Sequence, residues 1–470
     1  MVLPAGGRSS LLALTVVLAS GSAQAAPETS ETSAPSEAGP RAVTLEEALA
    51  LARKDHPSIA AARLRVVAAA RDADVPAANW LPRAGAFAQV VGASVNNSTT
   101  TQIGVATVDI PRIGATLLRE DPSFHLYPST MLALGVRQQI YDFGRTAAEQ
   151  AAAALATEVE KARAAGTLLD VDFFVAQAHY AVLAARAVDD AAKNAFDRAA
   201  SQRDFARANV TSGMRPPIEL TRAEADVARY EAGMMRARGA LRVARSVLAA
   251  AVGAGDIELD AAGAPQPAGP LPALADLLRR AEKTPLVREA NARVAAQRGE
   301  TKRLETQTRP TVFGTAAVNG RGGGAPPNAG PELTGDGWVP LVPNYDLGVV
   351  LAWPILEPAW SRRADASRER ELALDAETRR VVIEQRAAIA TAWQDADVAT
   401  SALTALERGA DAAKANYDQA DNRFRVGLGT STELADAQAL RTESEIQLAI
   451  GRFQSDRARL VLARATAEAK

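Results

Sequence analysis

Few residues able to make bonds or hold metals occur in this chain, and those few form no pattern. It has 3 histidines, His56, His125 and His179. His56 stands directly before a helix-starting proline, and His125 falls in a loop stretch. His179 sits on an apolar face of a long helix, where a packed polar residue is expected rather than a ligand. Cysteine is absent, which excludes a disulfide framework, thiolate-held zinc or iron–sulfur, a cysteine nucleophile and a lipid-acceptor cysteine. Neither Gly-x-x-x-x-Gly-Lys-Ser/Thr nor His-Glu-x-x-His occurs. The run Gly320–Gly324, followed by Pro326, Pro327 and Pro331, reads as a flexible loop rather than a phosphate cradle, and Asn96–Thr101 reads as polar loop. No catalytic group, cofactor cradle or metal site is expected, and hence no enzyme. One acidic pair has a defined place. Glu433 and Asp436, three apart, share a helix face near its N-terminus, where carboxylates are favoured; simple stabilisation of that helix start is the plainest use of them.

The elements that position these residues follow from composition. Lys and Arg number 53 against 55 Asp and Glu, a net charge of −2 that argues against a nucleic-acid binder. Hydrophobic residues are 47% but aromatics only 4%, which fits long, close-packed helices better than a thick globular core. At the start, Arg8, the apolar run Leu11–Ala19 and Ala23-Gln24-Ala25 have the order of a signal peptide over 1–25. The apolar run is shorter than the ~20 residues of a membrane-spanning helix. Residues 26–42, rich in Pro, Ser, Glu and Thr, predict a disordered N-terminal linker. No later stretch of ~18 uninterrupted apolar residues occurs. An exported chain without a transmembrane helix is expected, able to enter a membrane only as a β-barrel.

Internal duplication is the strongest organising signal. Pro57 and Pro285 each open a helical run that ends 25 residues later, at Pro82 and Pro310. Gly213 precedes Glu219-Leu220 as Gly427 precedes Glu433-Leu434, and Ala223 and Ala225 match Ala437 and Ala439 at the same shift of 214. Two repeats follow, 43–252 and 272–470, joined by a Gly/Pro-rich inter-repeat linker at 253–271. Each predicts a short helix (44–54; 272–283), a medium helix (57–80; 285–308), a strand (83–95; 311–319) and, after a loop, a second strand (129–141; 344–354). A very long helix (144–210; 358–424) and a final helix (216–252; 430–468) complete each repeat.

The long helices carry heptad stripes. In the second repeat the stripe runs Val382, Gln385, Ile389, Ala392, Ala396, Ala399, Leu403, Leu406, Ala410, Ala413, Tyr417, Ala420 and Phe424, with Gln385 its one polar member. The first repeat has two adjacent stripes. One runs from Leu155 through Val159 and Phe173 to Ala187, and the other comprises Leu168, Val171, Val175, Ala178, Val182 and Ala185. A helix with two seams packs a neighbour on each side, as in a helical wall or barrel. The long helix of about 100 Å matches the two shorter ones stacked end to end, at ~1.5 Å per residue.

The strands alternate with period two, as barrel strands must. Leu132, Leu134, Val136 and Ile140 share one face; in the second repeat Tyr345, Leu347, Val349, Leu351 and Trp353 do. Trp80, Tyr141, Tyr345, Trp353 and Trp360 lie near strand ends, the places of interfacial aromatics in contact with outer-membrane lipid. Four strands cannot enclose a lumen, since small barrels need ~8. A membrane reading therefore demands an oligomer, and three chains would supply twelve strands. Hairpins packed on soluble helices account for the alternation equally well.

Several segments resemble the TolC family of outer-membrane efflux channels. They are Thr44–Ala52 with Pro57, the helix end at Leu81-Pro82, the strand-to-helix junction Gln138–Arg145, and the turn Phe424–Leu434 continuing to Ala437-Gln438. The resemblance covers about 43–468. It implies a mainly α fold with a β-barrel part. That fold is a homotrimer sharing a 12-stranded outer-membrane barrel, four strands per chain, continued by a long periplasmic α-helical coiled-coil barrel. It implies a passive exit duct of a tripartite efflux or type I secretion system in a Gram-negative outer membrane, docked to a periplasmic adaptor and an inner-membrane transporter. Glu219, Glu433 and Asp436 would form the pore constriction. The turns Val210–Ile218 and Val426–Thr432, with Gly213, Gly427, Leu428, Gly429 and Thr430, would dock the adaptor. Phe424 and Gly429 stand where the family has a Tyr and an Arg that latch the closed mouth, and Arg423 or Arg425 are the substitutes at hand. The alternative is a periplasmic coiled-coil scaffold without a pore, which has no reason to turn Tyr345 to Trp353 outward.

Overall fold

The computed structural model describes residues 40–93, 127–255, 258–263, 269–323 and 344–467. The expected signal peptide, nearly all of the lead-in 26–42, His125 and Asn96–Thr101 lie outside them. The first repeat contains β1 (Arg41–Val43), α1 (Leu45–Asp55), α2 (Pro57–Asp74), β2 (Arg83–Ala93), β3 (Tyr127–Tyr141), α3 (Arg145–Thr211) and α4 (Pro217–Val252). After β4 (Leu259–Ala261) the second repeat contains α5 (Leu274–Arg280), α6 (Pro285–Thr306), β5 (Thr311–Gly323), β6 (Asn344–Ala352), α7 (Pro358–Arg425) and α8 (Ser431–Thr466).

Local chemistry sets the helix ends. Thr44 and Glu47 form a capping box before α1, each side chain accepting from the other's backbone N–H. His56 Nδ1 accepts from the Ser58 N–H at 3.1 Å and caps α2, so this histidine is structural. Helix α2 ends earlier than the predicted 80. Pro76 offers no N–H to an α-helical ladder, and residues 75–80 tighten into 3-10 turns.

The long helices pack as their stripes require. Along α7, Gln385, Ile389, Ala392, Ala396, Ala410, Ala413, Tyr417 and Phe424 are buried. The polar member, Gln385, donates to the Ala465 carbonyl of α8 at 2.6 Å, which satisfies its amide across the seam. Helix α3 is contacted by α2 and α4, and also by α6 and α8. Val171, Val175, Ala178 and Val182 of its second stripe are buried, whereas Leu168 is 36% exposed. By length and composition α3 would suit a membrane span, and a third of that apolar window is buried here, in contact with neighbouring helices. Helix α7 packs on α6 and α8. The order across the wall is therefore α2 with α4, α3, α6 with α8, then α7. Where α6 crosses α3, Gly299 allows the approach: a Cβ there would lie 3.2 Å from the Ala152 Cα and 2.8 Å from the Leu155 Cδ1.

Midway along the wall, β1 and β4 pair in parallel, inside segments read from the sequence as linker. Three-residue strands are too short to show alternation, but Val43, Leu259 and Ala261 are fully buried against α1, α3 and α4. His179, only 3% exposed, makes a 3.2 Å hydrogen bond to the Val43 carbonyl. Burial lowers its pKa, so it serves as a neutral packed side chain. Asp260 accepts from Arg186 of α3 and Arg245 of α4, tying the strand pair to both helices.

The remaining strands form one antiparallel sheet in the order β2-β3-β5-β6. Gly320–Gly323, read as part of a flexible loop, instead extend β5, pairing with Ser129–Leu132 of β3. With glycine at three of the four positions, they carry no alternation for a sequence reading to detect. We expect Gly299→Leu to overpack the α3–α6 crossing and destabilise the fold by about 1–3 kcal/mol, measured as a lowered thermal unfolding midpoint in detergent.

Candidate functional site

Three regions hold the candidate residues: the two helical tips, the strand–helix junctions and the outward sheet face. The tips are built alike. Each long helix ends in a glycine with positive φ, Gly213 at 72° and Gly427 at 82°. The closing hydrogen bonds repeat: Met214 N–H to the Asn209 carbonyl and Leu428 N–H to the Arg423 carbonyl, both 2.9 Å. This is the Schellman closure that glycine favours. The adjoining side chains differ. Glu219 receives Arg215 at 3.1 Å, so its charge is paired. Glu433 accepts from the Thr430 N–H, and Thr430 Oγ1 accepts from the Glu433 N–H, completing a capping box. Asp436 is exposed. Thus Glu433 and Asp436 lie together at the α8 start, while Glu219 belongs to an ion pair.

The tips also touch one another. Phe424 is buried with Tyr417, Leu434 and Ala437, edge-to-face with Phe205 at 5.7 Å and beneath the Arg215 guanidinium at 4.9 Å. Arg222 donates to the Thr432 hydroxyl at 2.8 Å. Neither arginine that the sequence offered as a substitute contacts Phe424 in this way: Arg425 pairs with Asp421 at 2.8 Å, and Arg423 donates to the Leu428 carbonyl. Arg215 occupies the place equivalent to Gly429 at the 214-residue shift, a signal that the duplication already contained. At Gly429 a Cβ would meet the Phe424 nitrogen at 3.0 Å. Four large apolar side chains, Met214, Ile218, Val426 and Leu428, are at least 70% exposed at these tips.

At the first junction Asp142 is buried. It accepts from the Thr146 N–H at 2.6 Å and the Gly144 N–H at 3.0 Å, and Gln139 donates to it at 3.1 Å. Burial pushes its pKa up, but the Thr146 hydroxyl and the backbone N–H groups of Thr146, Gly144 and Arg145 more than offset this and hold it below the ordinary value. Arg309 donates to the Phe143 carbonyl at 2.6 Å. The second junction has Pro358 at the helix start and no side-chain cap.

On the sheet, Tyr345, Leu347, Val349, Leu351 and Trp353 are 56–90% exposed. They align with Val318 and Ala316 of β5, then with Leu134 and Val136 of β3, then with Ala86 and Ala84 of β2. One face is thus apolar at these positions, interrupted by Gln138 of β3 opposite Gly314, and the opposite face carries Arg83, Arg137, Gln139, Thr315 and Asp346. Trp80, Tyr141 and Trp353 stand at the helix-side end of the sheet. Tyr345 stands at the far end of β6. Trp360 lies in the first turn of α7, beyond the strands, with the Arg363 guanidinium 4.7 Å over its ring. Among the described residues no cluster of His, Asp and Glu is placed to hold a metal ion.

A two-repeat helical wall carrying such a sheet defines a duct-forming outer-membrane protein. A model of the family described as "Outer membrane efflux protein" matches residues 48–254 and 280–468, and the chain belongs to that family. Its place is the outer membrane, and it is an efflux exit duct rather than the pore-less scaffold left open by sequence. Among curated proteins none matches it in sequence. Similar solved structures include the outer-membrane channel OprN, 18% identical over 90% of each chain with a TM-score of 0.67. VceC of Vibrio cholerae is 16% identical over 90% of this chain and 95% of its own, with a TM-score of 0.66. The CmeC channel of Campylobacter jejuni is 13% identical over 90% and 85%, with a TM-score of 0.68.

Asp142→Ala is expected to cost about 0.5–2 kcal/mol, the loss of a helix cap, seen as a lower midpoint in thermal unfolding. Because the folded pKa lies below the ~3.9 of an unfolded Asp, the carboxylate's contribution is complete above that value. It is lost as pH falls through the folded pKa, and an Asp142→Asn chain should lack that acid-dependent part.

Proposed function

We propose that three copies of this chain close into one tube, a passive exit duct that receives cargo from an inner-membrane transporter through a periplasmic adaptor. The observation that carries this reading is the sheet: apolar outward, polar inward and open at β2 and β6. In hydrocarbon an unpaired strand edge costs several kcal/mol per group, so β6 of one copy must meet β2 of the next. Strand direction alternates across the sheet, which makes that new pairing antiparallel as well. The helical wall ends on the same sides: α7 lies below β6, and α2 with α4 below β2. Exposed apolar residues wait on both, Leu372, Ile383 and Val398 on one and Leu64, Val67 and Val243 on the other. Three copies give twelve strands, enough for a lumen, whereas eight would be filled by side chains. Tyr345 and Trp353 are eight residues apart, about 26 Å along a strand and about 20 Å of depth at ~40° tilt. That approaches the apolar band of a barrel bounded by its aromatic girdles.

At the far end, the turns carrying Gly213, Gly427, Leu428, Gly429 and Thr430 with exposed Met214, Ile218 and Val426 form the adaptor-docking surface. Three-fold symmetry gathers Glu433 and Asp436 into a ring that favours cations at the mouth; Glu219, paired with Arg215, contributes little. Light scattering of the detergent-solubilised protein should give a trimer mass, and planar bilayers should record its conductance. Glu433→Gln/Asp436→Asn should shift selectivity away from cations. A monomer in detergent would reject the tube, and unchanged selectivity would reject the ring.

A further inference from the structure

The outward face of the sheet is not level. A trough of about 530 Å³ runs along β5, between β3 and β6. Its floor is the small pair Gly314 and Ala316. One wall is Gln138 and Val136 of β3, their register partners. The other is Val349 and Leu347 of β6, 71% and 90% exposed. Gln138 donates to the Trp80 carbonyl at 2.5 Å and to the Gln139 carbonyl at 3.1 Å. Its N–H groups are thus satisfied within the chain, and its methylenes line the trough.

Towards the helices, β5 leads back through Pro310 to Arg309. The Arg309 guanidinium reaches the Phe143 carbonyl, and Phe143 packs edge-to-face on Tyr141 at 4.7 Å. Tyr141 is the partner of Val312, an outward position, so Arg309 lies on the lipid side of the rim. Arg362 and Arg363 stand at the start of α7, and Arg368 ties that helix to Glu305 of α6 at 2.5 Å. The two helices run antiparallel, which brings Arg309 and Arg363 to about the same height above that ion pair. Asp365 also pairs with Arg368. Among the described residues no ion pair joins Arg309, Arg362 or Arg363 to a carboxylate. Glu357, exposed at the α7 N-cap, leaves three cations against one anion.

We propose that trough and rim form a binding site for an anionic phospholipid of the periplasmic leaflet, its acyl chain along Val312, Gly314 and Ala316 and its phosphate on Arg309. The site rests on the reading that this face meets lipid and not on the number of copies, because trough and rim belong to one chain. Lengths agree. From Arg309 to Ala316 is about 23 Å at ~3.3 Å per residue, or about 18 Å of depth at ~40° tilt. One leaflet supplies about 15 Å, half of the ~30 Å hydrocarbon core, so a chain that starts at the rim ends near the top of the trough. A guanidinium presents paired N–H donors to two phosphate oxygens. Arg309 is the central one, since it lies below β5, away from both open edges, whereas α7 borders the next copy. The net charge of −2 gives the chain no general attraction for anions, so the preference is local.

Native mass spectrometry of the detergent-solubilised protein tests this, with phosphatidylglycerol and phosphatidylethanolamine of identical acyl chains offered in equal amounts. The wild type should retain phosphatidylglycerol in excess. Arg309→Gln/Arg363→Gln should reduce that preference about tenfold, the factor of one charge-assisted hydrogen bond. A Cβ at Gly314 makes only ordinary contact, 3.4 Å from the Ile140 Cδ1, so Gly314→Leu fills the trough without straining the strand and should lower retention of both lipids. Equal retention of the two lipids by the wild type would overturn the headgroup site, and undiminished retention by the leucine variant would overturn the trough. Independently, the wild-type thermal midpoint should rise more with phosphatidylglycerol than with phosphatidylethanolamine in mixed micelles, since a ligand of the folded state stabilises it. Equal midpoints would overturn the site without recourse to any variant. A monomer mass would count against the three-copy duct and leave the lipid comparison standing.

Discussion

Backbone groups in hydrocarbon have no water to bond with, and that constraint organises the molecule. Each strand in the sheet satisfies its neighbours, but β2 and β6 present open edges beside a face made of Leu, Val, Ala, Tyr and Trp. Such a sheet cannot stand alone in a membrane. Closure requires copies, and copies require walls beneath them that end on the same sides as the strands. The helical columns meet this requirement because α2 leads into β2 and β6 leads into α7. A connection of only a few residues on each side keeps column and strand in step. Between β3 and α3, the buried Asp142, held by three separate donors, fixes the point where alternation ends and the helix begins.

The parts of this fold legible in the sequence are those with a long period to read. Two repeats at a shift of 214, eight helices and four strands per pair of repeats, and the α7 seam all follow from spacing. Their burial follows the stripe down to Gln385, whose amide finds the Ala465 carbonyl. What escaped detection was short, or rich in glycine, or depended on contact across repeats. The pair β1 and β4 is three residues long on each side. Gly320–Gly323 extend β5 through backbone pairing alone. Pro76 was visible, but its effect on α2 was masked because the apolar pattern continues through it to Trp80.

At the candidate sites the same division appears. The positions of Glu433 and Asp436 on one helix start were readable from a three-residue spacing. Glu219 seemed equivalent because it stands at the duplicate position; its pairing with Arg215 is i,i+4 within the first repeat. That pairing has no counterpart in the second, since glycine occupies position 429. The pairing of Arg83 with Arg137 across the inward face depends on the register between β2 and β3. No pattern within either strand specifies that register, and 33 residues outside the described structure separate them.

The two tips therefore have one backbone and two sets of side chains, and their contact within the folded chain explains why. A duplicated turn needs the same closure wherever it occurs, so Gly213 and Gly427 keep the same φ and the same hydrogen bonds at a constant shift. Side chains face a different demand, because in the folded chain the two turns are neighbours and each must fit the other. Arg215 lies over Phe424, and Arg222 reaches Thr432. If the second repeat also carried an arginine at 429, its Cβ would press on the Phe424 backbone nitrogen at 3.0 Å and a second cation would compete for one aromatic face. Sequence identity between the repeats is thus retained where the backbone must turn. It is lost where α3 and α8 bring the copies into contact, and the aromatic and cationic partners were divided between them.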